Sequence, residues 1–173
     1  MAENLDFDQE NINEVSPIPS FLKVLCILSF VFLGFSLLSS IASIVHGKFT
    51  EQEMLNDKER MSKELLEFEK IDFQYGIDMT KQLMSLKEIL NNNSFSVSLV
   101  SLIICCVGIF GVMKMRSGFK IGFHLYIIYS LLYATQNYFF ASVQYIPSLI
   151  VFLNLFISFV FILMYSRNLK WMK

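Results

Sequence analysis

The sequence of residues 95–140 is FSVSLVSLIICCVGIFGVMKMRSGFKIGFHLYIIYSLLYATQNYFF, two apolar runs joined by a short basic segment. Neither run, 95–113 or 121–140, contains Asp, Glu, Lys or Arg. The hydrocarbon core of a bilayer is roughly 30 Å thick, and a helix crosses it with about 20 residues. These two runs therefore predict two transmembrane helices that are joined by a short turn.

Two further apolar runs of sufficient length lie at 21–45 and 146–165. None of the four runs shows the alternation of polar and apolar residues that membrane β-strands require. The composition agrees, with 54% hydrophobic and only 17% charged residues, outside the range usual for soluble domains. The fold class that follows is an all-α membrane protein, a four-transmembrane-helix bundle.

The segment between the first two runs is polar, with seven basic and ten acidic residues over 47–93. Its apolar residues recur at heptad spacing, which predicts two amphipathic helices with a break at Tyr75–Gly76. We expect an extracytoplasmic helical hairpin; a pair of helices lying on the outer leaflet is the alternative, which the acid-rich polar faces disfavour. The heptad positions are Met54, Met61, Phe68 and Tyr75, followed by Met79, Leu83, Leu86 and Leu90.

Basic residues in short loops mark the cytoplasmic side of a membrane protein. They occur in the 115–120 loop and its flank and after residue 166, whereas 141–145 contains none. Both termini are then cytoplasmic. The first 19 residues contain five acidic residues and no Lys or Arg, which argues against a secretory signal. The basic residues concerned are Lys114, Arg116 and Lys120, then Arg167, Lys170 and Lys173.

The resulting organisation has nine parts. They are an acidic cytoplasmic tail at 1–19, transmembrane helix 1 at 20–46, the extracytoplasmic hairpin at 47–93, transmembrane helix 2 at 94–114, a basic cytoplasmic loop at 115–120, transmembrane helix 3 at 121–140, a short outer loop at 141–145, transmembrane helix 4 at 146–166, and a basic cytoplasmic tail at 167–173.

Small and polar residues follow one face of each predicted span, as they do where membrane helices pack together. On the second span this helix-packing face consists of Ser98, Ser101, Cys105 and Gly108. On the third and fourth spans the polar residues predict either interhelical hydrogen bonds or a ligand cavity. They are His124, Tyr126, Tyr129, Tyr133, Asn137 and Asn154.

The sequence offers no arrangement of residues typical of catalysis. Cys26, Cys105 and Cys106 lie in apolar runs, which disfavours a disulfide scaffold or a metal site. His46 and His124 fall near opposite ends of the bundle, so they cannot share a site. Ion-coupled transporters and membrane proteases place ionisable residues at membrane depth, and here there are none. We expect no enzyme activity, no metal or cofactor, and, with a net charge of -1, no nucleic-acid partner.

Residues 111–132, GVMKMRSGFKIGFHLYIIYSLL, together with the ending MYSRNLKWMK, resemble uncharacterised small four-span integral membrane proteins of the Bacteroidetes type. The resemblance covers roughly the C-terminal half. It implies a four-span fold in a bacterial inner membrane, and it implies no catalytic residues.

Two functional hypotheses remain. The first is an accessory or structural subunit of a membrane complex, which contacts other membrane protein subunits, or further copies of itself, through its bundle face, hairpin or acidic tail. The alternative is a small-molecule or lipid binding or transport protein with a polar cavity in the bundle. A filled bundle interior favours the first, and an open one favours the second.

Overall fold

The structure, a computed structural model, describes residues 18–173, so the predicted acidic tail lies almost entirely outside the described residues. That range contains six α-helices and no strand, which confirms the all-helical prediction. The helices are α1 (Ser20–His46), α2 (Glu51–Lys70), α3 (Gln74–Asn92), α4 (Ser94–Arg116), α5 (Lys120–Thr135) and α6 (Ser148–Ser166).

Three of these helices, α1, α4 and α6, are long and apolar enough to cross a membrane, which agrees with the prediction of a membrane protein. Helix α5 has only 16 residues, about 24 Å of α-helix. A 3-10 turn, Gln136–Phe139, follows it directly. The structure thus divides the predicted span 121–140 into an α-helix and a tighter turn.

Helices α4 and α5 approach each other closely because glycines lie at their crossing. A Cβ atom added to Gly122 would lie 2.5 Å from the carbonyl oxygen of Gly111 and would also collide with the backbone nitrogen of Met115. The turn between the helices requires a glycine too, since Gly118 has a φ of +82°, a left-handed conformation that other residues rarely adopt.

The main core joins α1, α4, α5 and α6 near the basic turn. Tyr165 of α6 is fully buried, and its phenol donates a 2.9 Å hydrogen bond to Ser29 of α1. The ring of Tyr165 lies 4.8 Å from that of Tyr126 on α5, centroid to centroid. Leu22 and Val112, both fully buried, belong to the same cluster. One aromatic and aliphatic core therefore holds four helices together.

The polar helices α2 and α3 lie against each other in antiparallel fashion. Lys87 contacts Asp57 at 2.6 Å, and Lys58 contacts Glu88 at 2.9 Å. The chain reverses at Asp72, whose φ is +51°. The prediction of a break at Tyr75–Gly76 is therefore wrong by several residues. Gly76 instead lies within the first turn of α3, buried beside Phe68 and Phe73.

Two further contacts position these helices. Leu86 of α3 packs against Ala141 and Ile146, which precede α6. At the opposite end, the backbone N–H of Lys120 donates to the carbonyl of Lys173 at 3.0 Å, and the N–H of Lys173 donates to Gly118 at 2.6 Å. The last residues thus lie against the α4–α5 turn.

Candidate functional site

Four of the six residues predicted to form a polar cavity come together in the structure. Tyr126, Tyr129, Tyr133 and Asn154 line a cavity of about 190 Å³ between α1, α5 and α6. Tyr126 and Tyr129 are buried, and their ring centroids are 5.6 Å apart. The remaining lining is mainly aliphatic and phenylalanine side chains with serine hydroxyls, so the cavity is small and its walls are largely apolar.

The other two predicted residues lie elsewhere. His124 is exposed on α5, and its Nδ1 is 3.0 Å from the carbonyl oxygen of Lys120, one turn earlier in the same helix. Asn137 lies in the 3-10 turn, where its backbone carbonyl accepts from Phe140 and Ala141. Neither residue lines the tyrosine cavity.

The predicted packing face of α4 is occupied by neighbouring helices. Ser98 and Cys105 are 6% and 2% exposed. A Cβ on Gly108 would lie 2.8 Å from atoms of both Leu33 and Tyr129, so this glycine lies where α1 and α5 both approach α4. Ser101 is half-buried and donates a 3.0 Å hydrogen bond to the side-chain oxygen of Gln136.

A second space, which we call the polar groove, lies between α1, α4 and α5. It has a volume of about 330 Å³, and most of the side chains along it carry hydroxyl, thiol or amide groups. Ser39 at its edge is exposed. The groove is lined by Phe35, Ser36, Ser39, Ser40, Ser101, Cys105, Tyr133 and Gln136.

A third space, the junction pocket, lies where the polar helices meet the ends of α1 and α4 and is larger than the other two. Its volume is about 490 Å³. The sequence did not predict this pocket, because its walls come from four helices. The one local signal for it was the Thr-x-x-Glu spacing of Thr50 and Glu53, which forms a capping box at the start of α2. It is lined by Ser43, His46, Gly47, Phe49, Glu53, Met54, Asp57, Lys87, Leu90, Asn91, Ser94, Val97 and Ser98.

The two carboxylates of the junction pocket differ in their partners. The backbone N–H and the hydroxyl of Thr50 donate to Glu53 at 2.8 and 2.9 Å, and these hydrogen bonds hold the pKa of Glu53 below its ordinary value. The ammonium group of Lys87, followed by Arg60, lowers the pKa of Asp57. Among residues 18–173, Glu53 forms an ion-pair contact with His46 alone, at 3.5 Å, and His46 is charged only when protonated.

The described part of the chain contains no cluster of potential metal ligands. Within residues 18–173 no three side chains of His, Cys, Asp or Glu lie close enough together to hold a metal ion. Cys26 and Cys105 are buried free thiols, and Cys106 is an exposed one.

Comparisons with known proteins give no match from which a function could be inferred. No family model, curated protein or solved structure matches the chain. The resemblance to small four-span membrane proteins of Bacteroidetes therefore stays an expectation from the sequence.

Proposed function

We propose that the protein is an accessory subunit of a bacterial inner-membrane complex, which crosses the membrane four times and acts by contact with other membrane proteins. In this proposal α2 and α3 form an extracytoplasmic hairpin, and both termini are cytoplasmic. Helix α5 and its 3-10 turn together cover about 32 Å, which is sufficient for a fourth span. The basic residues beside the α4–α5 turn and after α6 support the orientation.

The observation that carries the contact function is the polar groove. Ser39 and Gln136 lie along segments that the proposal places within the bilayer, where lipid chains offer no hydrogen-bond partners. Small and polar side chains at membrane depth are typical of helix–helix interfaces. A transmembrane helix from another subunit would fill the groove and supply partners for its hydroxyl and amide groups.

The experiment compares groove variants with a variant on the neighbouring exposed position of α1. Tagged wild-type protein, the double variant Ser39→Leu/Gln136→Leu, and the control Leu38→Val are purified from native membranes in mild detergent. Leu38 is 63% exposed, so its substitution leaves the groove intact. We expect a stoichiometric partner polypeptide with wild type and control and its loss with the double variant. Wild-type protein that purifies as a lone, folded monomer would contradict the proposal.

The second candidate is a small-molecule binding or transport protein that uses the tyrosine cavity. The convergence of three tyrosines with Asn154 favours it. Its volume of about 190 Å³ is below the range of about 300–1,000 Å³ that ligand pockets usually have, so we place this candidate second. Loss of function in a well-folded Tyr133→Phe or Asn154→Ala variant would reverse that order.

A further inference from the structure

We propose that the junction pocket binds a small amphiphilic molecule that carries a protonated amine. This inference goes beyond the contact function and does not depend on a partner subunit. At about 490 Å³ the pocket falls within the usual size range of ligand sites, about 300–1,000 Å³. The tyrosine cavity is less than half as large.

The walls of the pocket suit a molecule with an apolar body. Phe49 and Met54 contribute from the side of α2, and Leu90 and Val97 contribute from α3 and α4. The pocket lies at the ends of the apolar helices α1 and α4, where a ligand can enter from the headgroup region of a bilayer. Burial of apolar surface there contributes roughly 25 cal/mol per Å² to binding.

Two serine hydroxyls of the pocket form no hydrogen bond with the described protein groups. Ser94 and Ser98 both line it, and neither side chain makes a hydrogen bond to another group within residues 18–173. Ser98 is only 6% exposed, but no buried polar side-chain atom of residues 18–173 is left without a partner, so its hydroxyl keeps contact with solvent in the pocket. A polar group on the ligand would replace water as the hydrogen-bond partner of this hydroxyl.

The charge of the pocket favours a cation. The lining carries two carboxylates, Glu53 and Asp57, and one ammonium group, that of Lys87, which pairs with Asp57 at 2.6 Å. In the described part of the chain no Lys or Arg lies within ion-pairing distance of Glu53, and the hydrogen bonds from Thr50 favour its ionised form. One negative charge is therefore left without a permanent counter-charge. The ring of Phe49 also lines the pocket, and aromatic rings attract cations that lie over their faces.

The test uses the full chain in dodecylmaltoside micelles, titrated calorimetrically with octylamine, octanol or octanoate, with blank titrations into empty micelles. We expect saturable binding of octylamine, binding of octanol that is about tenfold weaker because a charge-assisted hydrogen bond is lost, and no saturable binding of octanoate. Equal affinities for octylamine and octanol, or no saturable binding to the folded protein, would overturn the proposal.

Matched variants assign the effect to the pocket. Glu53→Gln removes the charge but keeps a side chain that can complete the capping box, and it should weaken octylamine binding about tenfold. Glu59→Gln, on the same helix and outside the pocket lining, should leave the affinity unchanged. Ser94→Leu should block the binding of octylamine and octanol without unfolding the protein, because Ser94 is only half-buried. An unchanged affinity in Glu53→Gln would refute the role of that carboxylate and the proposal with it.

Micelles doped with lipid distinguish the source of the amine. Competition by phosphatidylethanolamine, with none by phosphatidylglycerol, would identify a lipid headgroup as the ligand. Octylamine binding that neither lipid affects would identify a soluble amine. Both results require the amine site, whereas equal competition by the two lipids would show that the pocket does not select an amine.

Discussion

Tyr165 donates a hydrogen bond to Ser29 across 2.9 Å, although the two residues are 136 positions apart in the sequence. Tyr165 is fully buried and Ser29 is 4% exposed. The contact joins the last long apolar helix to the first. Most of α6 is exposed apart from this region, and Tyr165 is its one buried residue, so the anchorage of α6 depends strongly on Tyr165.

Two substitutions of Tyr165 should separate the contribution of its hydrogen bond to stability from the contribution of its ring packing. Tyr165→Phe keeps the ring against Tyr126, and we expect a stability loss of about 0.6 kcal/mol, the average for interhelical hydrogen bonds in a bilayer. Tyr165→Ala leaves a cavity and should cost about 3–5 kcal/mol. Unfolding by SDS in mixed micelles measures both. Equal losses would mean that the hydrogen bond, rather than ring packing, anchors α6.

The glycine crossing of α4 and α5 should tolerate no added side chain. Gly122→Ala puts a methyl group against the backbone of α4, so the helices must move apart, and overpacking of this kind costs about 1–3 kcal/mol. Gly34→Ala is the matched control, because a Cβ on Gly34 meets nothing within 4 Å. The same SDS titration should show a loss for Gly122→Ala and none for Gly34→Ala. If both variants behave alike, the close approach is not a determinant of stability.

Cysteine labelling in intact cells should test the topology. Ser62 on α2 and Ser117 beside the α4–α5 turn are both exposed. We expect Ser62→Cys to react with a membrane-impermeant maleimide added from outside, and Ser117→Cys to react only after the cells are opened. The unsubstituted chain controls for its own three cysteines. Labelling of Ser117→Cys in intact cells would reverse the proposed orientation.

Acid should loosen α2 from α3. The pKa values of Glu53 and Asp57 are lowered in the folded protein, so the folded state binds these protons more weakly than the unfolded state. Their contribution to stability is present above the unfolded pKa of about 4 and is lost as the pH falls through the lower folded values. Amide hydrogen exchange in α2, corrected for intrinsic rates, should therefore rise below about pH 4. If the fold does not recover after a brief incubation at acid pH, proteolysis at Lys63 or Lys70 should also be faster.

Asp57→Asn provides the control for the acid response. It removes the charge that Lys87 stabilises, so the acid-dependent part of the exchange should shrink. Because both side chains of the pair are partly exposed, the loss at neutral pH should stay below about 1 kcal/mol, as for other surface ion pairs. An unaltered acid response in Asp57→Asn would assign the effect to other carboxylates.

The sequence predicted the long helices well and the short-range geometry less well. Hydrophobic length alone marks α1, and its observed bounds, Ser20–His46, coincide with the prediction. Heptad spacing identifies the apolar faces of α2 and α3 but not where the chain reverses. That point depends on how Phe73 packs on Phe68, a contact that spacing does not specify.

Helical spacing also decided which of the candidate site residues could be grouped together from the sequence. Residues on one face of α5, such as Tyr126 and Tyr129, were predicted together because helical spacing places them together. Asn137 was expected to continue that face, but the helix tightens at Gln136, and this rotates the later residues away. The junction pocket could not be predicted, because residues such as Glu53 and Ser98 are far apart in sequence and meet only through the packing of four helices.

A single residue, Asn93, separates α3 from α4. The backbone hydrogen bonds from Asn93 to Ile89 and from Val97 to Asn93 continue on either side of it. Asn93 itself has a φ of -111° and a ψ of 24°, away from the helical values of about -63° and -42°, so the polar and apolar helices change direction there with almost unbroken hydrogen bonding. A displacement of α3 would therefore be transmitted to the start of α4 through Asn93, and to Ala141 and Ile146 through Leu86.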